Sequence, residues 1–129
     1  MQKSFLKIFK NKRVLITGHT GFKGSWLTLW LHLNGAKILG LSDKVPTTPS
    51  HFKLLRLNKK IISKIIDIRN LNKLRSTFKK FKPDYVFHLA AQSIVKRSHF
   101  DTLKTWQTNV IGTLNILECL KIQKKETIA

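Results

Sequence analysis

The sequence predicts an α/β fold, a parallel sheet with helices packed on both of its faces. Three observations carry this prediction. Short apolar, β-branched runs recur along the chain, runs at helical spacing separate them, and a glycine-rich turn joins the first such pair. With 129 residues, 42% of them hydrophobic, the chain can build one sizeable core and is too apolar to be disordered.

The elements follow in order. Arg13 to Thr17 (Arg-Val-Leu-Ile-Thr) reads as a buried parallel strand, apolar on both faces. After the glycine turn, a helix is expected over 22–34 and closed by Asn34-Gly35. Ser25, Thr28 and His32 make one narrow polar stripe on it, and the rest, Trp26 and Trp30 included, is large and apolar. That helix is therefore expected to be mostly buried. Lys37 to Ser42 is a second strand, Pro46 to Ser50 a loop, and His51 to Leu57 a short helix. Ile61 to Asp67 is a third strand. Leu71, Leu74, Phe78 and Phe81 mark one helix face, which Pro83-Asp84 ends. Tyr85 to Leu89 is a fourth strand, and a last long helix is expected from Asp101 to Lys121. Right-handed crossovers give the strand order 3-2-1-4. Residues 1–12 read as a basic extension ahead of the sheet. The chain is expected to close on a helix, leaving strand four as an unpartnered edge, so the sequence reads as truncated.

The strongest motif is Gly18-His19-Thr20-Gly21-Phe22-Lys23-Gly24, placed between the first strand and the first helix. That context is what a dinucleotide fingerprint of a Rossmann-type sheet requires. Gly18 permits the tight turn, Gly21 lets backbone approach a pyrophosphate, and Gly24 allows close packing of helix on strand. The helix N-terminus adds free N–H groups and partial positive charge. No Gly-Lys-Ser/Thr is present, so the turn is not a P-loop.

The spacing G-x-x-G-x-x-G resembles the extended short-chain dehydrogenase/reductase superfamily. That resemblance implies an incomplete Rossmann-type domain over 13–129, with the substrate domain absent, and a cofactor side built from Gly18, Thr20, Gly21, Phe22 and Gly24. It further implies that Asp67 and Ile68 meet the adenine, a reading preferred to Asp67 capping the next turn. Leu89, Ala90, Ala91 and Gln92, within His88-Leu89-Ala90-Ala91-Gln92, would lie against the ribose and nicotinamide. His88 itself reads as a structural strand-end histidine rather than a catalyst. Asn109-Val110-Ile111-Gly112-Thr113 resembles the family's N-V-x-G-T segment, where the Asn stabilises the fold and the Gly permits close packing.

The run His19 to Trp26, the loop Pro46 to Ser50 with Phe52, and Ala91-Gln92 with Val95 and Arg97-Ser98 together resemble the CDP-glucose 4,6-dehydratases. These belong to the NAD-dependent epimerase/dehydratase group. The resemblance implies NAD as cofactor and CDP-glucose as substrate, and a 4-keto-6-deoxy sugar nucleotide as product. It also implies a homodimer, for which the apolar positions Leu103, Trp106, Val110, Leu114 and Leu117 offer a face; they fit an internal face equally well. The catalytic pair of the family is Tyr-x-x-x-Lys. The single tyrosine here is Tyr85, followed four residues on by Leu89, so no catalytic residue is assigned. No metal ligand set is assigned either. Asp43 stands about 20 residues past the glycines, where an acid selects NAD, but Lys44 beside it could tolerate a 2′-phosphate; NAD rests on the resemblance. The competing readings are an epimerase or reductase of the same superfamily and a non-catalytic dinucleotide-binding module.

Charge points elsewhere and is discounted. Lys and Arg number 25 against 6 Asp and Glu, a formal net charge of +19. The lysines are scattered, arginine occurs five times, and no nucleic-acid motif accompanies them. Nonspecific, salt-sensitive attraction to polyanions is expected, not specific nucleic-acid binding. The longest apolar stretch, Trp26 to Leu33, is interrupted by Thr28 and His32 and falls short of a membrane span. Met1 to Arg13 lacks the apolar region of a secretory signal. With Cys119 the lone cysteine, a cytoplasmic location is expected.

Overall fold

The computed structural model describes residues 7–129. Four strands form one sheet: β1 (Arg13–Thr17), β2 (Lys37–Ser42), β3 (Ile62–Ile65) and β4 (Tyr85–His88). All pairings are parallel and the order is β3-β2-β1-β4, as expected. The helices are α1 (Phe22–Leu33), α2 (His51–Leu54), α3 (Leu71–Phe81), α4 (Val95–Phe100), α5 (Thr102–Trp106) and α6 (Gly112–Lys121). A 3-10 turn spans Leu57–Lys59, and a π-helical turn, Gln107–Ile111, joins α5 to α6.

Alternation along the strands builds two cores. Leu15, Leu39, Leu41 and Val86 face α3 and α6, where they meet Leu74, Phe78, Ile116 and Cys119. Val14, Ile16 and Ile38 face α1, where they meet Leu31. This is the two-sided burial that makes the strands read as continuous apolar runs. Phe9 is buried in the second core and packs edge-on against Tyr85, with ring centroids 5.0 Å apart. The last residues of the basic extension thus dock on the sheet; residues 1–6 lie outside the described residues.

The orientation of α1 overturns the expectation of a mostly buried helix. Its polar residues Ser25 and Thr28 are fully buried, while Trp26 is 51% and Trp30 43% exposed. Shape decides this. A Cβ on Gly24 would stand 2.8 Å from the Gly18 carbonyl carbon and 2.9 Å from His19 Cα. The face carrying Gly24, Ser25 and Thr28 is therefore the only one slim enough to lie against the turn. The indoles point outward, and Trp26 meets the His51 ring at a tilt of 38°, centroids 4.3 Å apart.

Other boundaries moved. The helix expected over 51–57 is a single turn, α2, followed by the 3-10 turn. The third strand is shorter than 61–67, and its Ile62 and Ile65 are exposed, because β3 is the sheet edge. Helix α3 closes on Lys82 in the left-handed region (φ 51°), ahead of Pro83. The helix expected from Asp101 to Lys121 is continuous from Thr102 but is wound as a π turn in its middle, and α4 precedes it unforeseen. Asp101 caps α5 through an Oδ1 that accepts from the Lys104 N–H at 3.2 Å. Strand four is not left without a partner. Ile128 returns parallel to it, its carbonyl accepting from Val86 N–H at 2.8 Å and its N–H donating to Asp84 O at 3.1 Å.

Candidate functional site in the cleft above β1 and β4

The glycine turn leaves β1 at the C-terminal edge of the sheet, where β1 parts the strands running left from those running right. Ligands bind at such switch points. Gly18 has φ +75°, and a Cβ on it would stand 2.8 Å from Ala90 N and Leu89 C, so both conformation and space require glycine there. Gly21 differs. Its φ is −72°, and a Cβ would meet only Gly18 O, at 3.3 Å. The space over Gly21 is thus left open rather than filled by protein. Gly21 is also the N-cap of α1, with no side-chain cap and no acidic residue in the first turn. The positive end of the helix is presented to whatever occupies that space.

The turn is tied down by residues the sequence reading passed over. His19, fully buried, lies within hydrogen-bond distance of Ser42 Oγ (3.0 Å) through Nδ1 and of Ser63 Oγ (2.7 Å) through Nε2. Phe52 meets its ring edge-on at 5.2 Å. Burial pushes the imidazole below its ordinary value, outweighing a backbone hydrogen bond to Leu41. A Cβ on Gly40 would stand 2.8 Å from His19 Nε2 and closer still to its ring carbons. The signal was present as a glycine inside a strand, which marks close approach of another group. Thr20 N–H donates to Ser42 Oγ (3.4 Å) and Thr20 Oγ1 donates to Lys44 O (2.6 Å), fixing the end of β2 on both sides of Asp43.

A cleft of about 930 Å³ opens here. Every residue expected on the cofactor side lines it: Gly18, Thr20, Gly21, Phe22 and Gly24 from the turn, Asp67 and Ile68 after β3, and Leu89, Ala90, Ala91 and Gln92 after β4. Asp43 and Lys44 line it from the end of β2, and α4 and α5 contribute Arg97, which the sequence reading named only within the resemblance, and Phe100 and Lys104, which it did not single out. Asp67 lines the cleft and caps its turn at once. Its Oδ1 accepts from Arg69 N–H at 2.9 Å, and its carboxylate pairs with the Arg69 guanidinium at 2.6 Å. That hydrogen bond from Arg69 is the main reason the carboxyl lies below the usual carboxylate range.

The wall after β4 is held from behind. Asn109, in the π turn, accepts from Gln92 N–H at 2.7 Å and donates to Gln92 O at 3.0 Å. Gly112 lets that helix approach, since a Cβ there would stand 2.5 Å from Ile68 Cδ1. His88 is bonded through both ring nitrogens, to the Thr17 and Thr113 hydroxyls, which fits a structural role. Tyr85 sits at the start of β4, opposite Val14 and against Phe9, away from the cleft. Among the described residues no group of three metal-ligating side chains comes together, and no helix is long and apolar enough to cross a membrane.

Known proteins share this arrangement. The chain is 50% identical over 113 residues to a CDP-glucose 4,6-dehydratase of Salmonella typhimurium, covering 88% of this chain and 32% of that protein. It is 34% identical to a dTDP-glucose 4,6-dehydratase of Haemophilus influenzae, over 84% of this chain and 32% of that one. Among solved structures, the UDP-glucose 4-epimerase of Thermus thermophilus in complex with NAD superposes with a TM-score of 0.78 at 30% identity, over 90% of this chain and 36% of that one. The chain thus spans about a third of the length of the curated relatives it matches. The family model described as GDP-mannose 4,6 dehydratase matches residues 15–129, nearly the whole described chain, and the chain belongs to that family.

Proposed function

We propose that this chain is the dinucleotide-binding part of a nucleotide-sugar 4,6-dehydratase that uses NAD to convert CDP-glucose into CDP-4-keto-6-deoxyglucose. The observation that carries the reading is the open space over Gly21 at an uncapped helix N-terminus, inside a cleft lined by every residue expected on the cofactor side. The choice of CDP-glucose rests on the identity to the Salmonella typhimurium enzyme. NAD held by these residues would supply a reversible hydride acceptor for the sugar.

The residues of this chain bind and orient. Backbone N–H groups at Phe22 and beyond face the pyrophosphate, with Gly21 giving it room. Asp43, held between the two Thr20 hydrogen bonds, receives a ribose hydroxyl. Asp67 and Ile68 border the adenine, and Leu89 to Gln92 flank the second ribose and the nicotinamide. No residue here is assigned a proton-transfer role. A cytoplasmic location goes with a nucleotide-linked substrate and a lone, buried Cys119. A homodimer is supported by Leu103, Trp106, Val110, Leu114 and Leu117, all five exposed along the stretch from α5 through the π turn to α6.

The test is a calorimetric titration of this chain with NAD and with NADP. Saturable binding of NAD, weaker for NADP, is expected; a folded chain with no heat up to millimolar NAD refutes the reading. For the reaction, the enzyme containing this chain should form a 4-keto-6-deoxy product from CDP-glucose. A simple epimer as sole product refutes the dehydratase and favours an epimerase.

A further inference from the structure

The end of β4 carries an imidazole whose two nitrogens are both engaged, and the surrounding donors and acceptors fix its proton. Thr17 Oγ1 accepts from Leu89 N–H at 3.1 Å and from Ala90 N–H at 3.2 Å. Both lone pairs of that oxygen are then taken, so its own proton points to His88 Nδ1, 2.7 Å away. Nδ1 is therefore the acceptor and the ring proton is on Nε2. Nε2–H donates to Thr113 Oγ1 at 2.9 Å, and Thr113 Oγ1 donates onward to Asn109 O at 2.7 Å. Asn109 in turn holds Gln92 through both its amide nitrogen and its amide oxygen.

We infer that His88, as the neutral Nε2–H tautomer, is a positioning residue: it spans from Thr17 on β1 to Thr113 on α6 and so sets the backbone from Leu89 to Gln92 as one wall of the cleft. Leu89 N–H is also held by the Thr17 backbone carbonyl at 3.1 Å, and beyond it the segment has few other ties. Ala90 and Ala91 have no polar side chain, and their placement depends on the Thr17 hydroxyl at one end and on Asn109 at the other. Thr17 can hold both N–H groups only while its proton has somewhere else to go. Asn109 keeps its geometry only while α6 stands at a fixed distance from β4, which the imidazole bridges. A chain of this kind works in one direction: reversing the ring tautomer would aim the Nδ1 proton at the Thr17 proton. A second requirement is that the ring stay uncharged, which burial favours.

The role in ligand binding rests on the reading of the cleft as a dinucleotide site, and the test separates the two. Nitrogen-15 spectra of histidine-labelled chain, without ligand, report the tautomer directly. The Nε2–H form is expected for His88, with Thr113→Val loosening its proton to exchange. A protonated Nδ1 overturns the assignment. Hydrogen exchange at the Leu89, Ala90 and Gln92 amides follows in three variants. His88→Asn keeps an acceptor near Nδ1, His88→Gln keeps a donor near Nε2, and His88→Leu keeps neither. Protection should fall furthest in His88→Leu, with Asn rescuing Ala90 and Gln rescuing Gln92, while Leu89 keeps part of its protection through the Thr17 carbonyl. Wild-type protection of all three amides in His88→Leu overturns the proposal. NAD affinity should drop about tenfold in His88→Leu. If wild-type chain binds no NAD while the tautomer and exchange results hold, the dinucleotide reading fails and the positioning role stands. Should His88→Leu not fold, the tautomer and the Thr113→Val result still decide.

Discussion

Two alanine substitutions in one turn should separate packing from binding. At Gly24, a Cβ would overlap the Gly18 carbonyl oxygen outright and stand 2.8 Å from Gly18 C and 2.9 Å from His19 Cα. Both neighbours are backbone, so neither can swing away, and the whole of α1 must shift. The gain in helix propensity for Gly→Ala is about 1 kcal/mol, whereas overpacking a tight contact costs about 1–3 kcal/mol or more. With backbone overlapped outright, the cost falls at or above the top of that range, so the net loss should be about 2 kcal/mol or more, or about 6 °C or more in Tm for a chain of this size. At Gly21 the backbone (φ −72°, ψ 170°) suits any residue, and a new Cβ meets only one oxygen, at 3.3 Å. Gly21→Ala should leave Tm within about 2 °C of wild type, yet place a methyl group where the pyrophosphate must sit. NAD affinity should fall at least about tenfold, since binding then requires the ligand or the turn to move. Differential scanning calorimetry and NAD titration on both variants check this. Wild-type Tm in Gly24→Ala refutes the packing argument, and wild-type NAD affinity in Gly21→Ala refutes the siting of the pyrophosphate.

Other outcomes follow from the same geometry. Gly40→Ala should destabilise strongly, because its Cβ would enter the ring of a fully buried His19, and circular-dichroism melting will read it. Gly112→Ala should be milder, since the obstructing atoms, Cδ1 and Cγ1 (2.7 Å) of Ile68, belong to one side chain rather than to a ring or backbone; adding Ile68→Val, which removes only Cδ1, should recover part of the lost Tm. Acid should weaken the fold through His19 and His88. Burial lowers both below the ordinary 6.5, so the unfolded chain takes up protons first as pH falls. Their contribution is complete above about pH 6.5 and declines below it, which denaturant midpoints at pH 8, 6.5 and 5 will show; equal midpoints at all three would contradict it. Asp67→Asn should change stability by less than about 1 kcal/mol, because its pair with Arg69 is solvent-accessible, but should weaken NAD binding in titration.

What could be read in the sequence was what local rules decide. The strand entering Gly18, the helix leaving Gly24 and the order of the four strands depend on neighbours in the chain and on crossover handedness. The residues expected along the cleft after β3 and β4 came from the family resemblance, and they meet because strand ends converge at one edge of a parallel sheet. What escaped was set by contacts distant in sequence. Hydropathy put the tryptophans of α1 inside, but the close approach of Gly24 to Gly18 turned Ser25 and Thr28 inward instead. His19 entered the sequence reading only as part of the glycine motif, and only the folded sheet brings Ser42 and Ser63 to its two nitrogens. The π turn around Asn109 has no periodicity of its own, and Ile128 joins β4 through backbone atoms that carry no sequence signature.

The alternation of β1 has a consequence for how the molecule comes apart. Leu15 belongs to the cluster under α3 and α6, while Val14 and Ile16 belong to the one under α1. One five-residue strand is thus a shared wall between two apolar compartments. Solvent cannot enter either side without releasing backbone on which the other is built. The two layers should melt as a single cooperative unit, with amides on both sides of β1 exchanging at the same global rate.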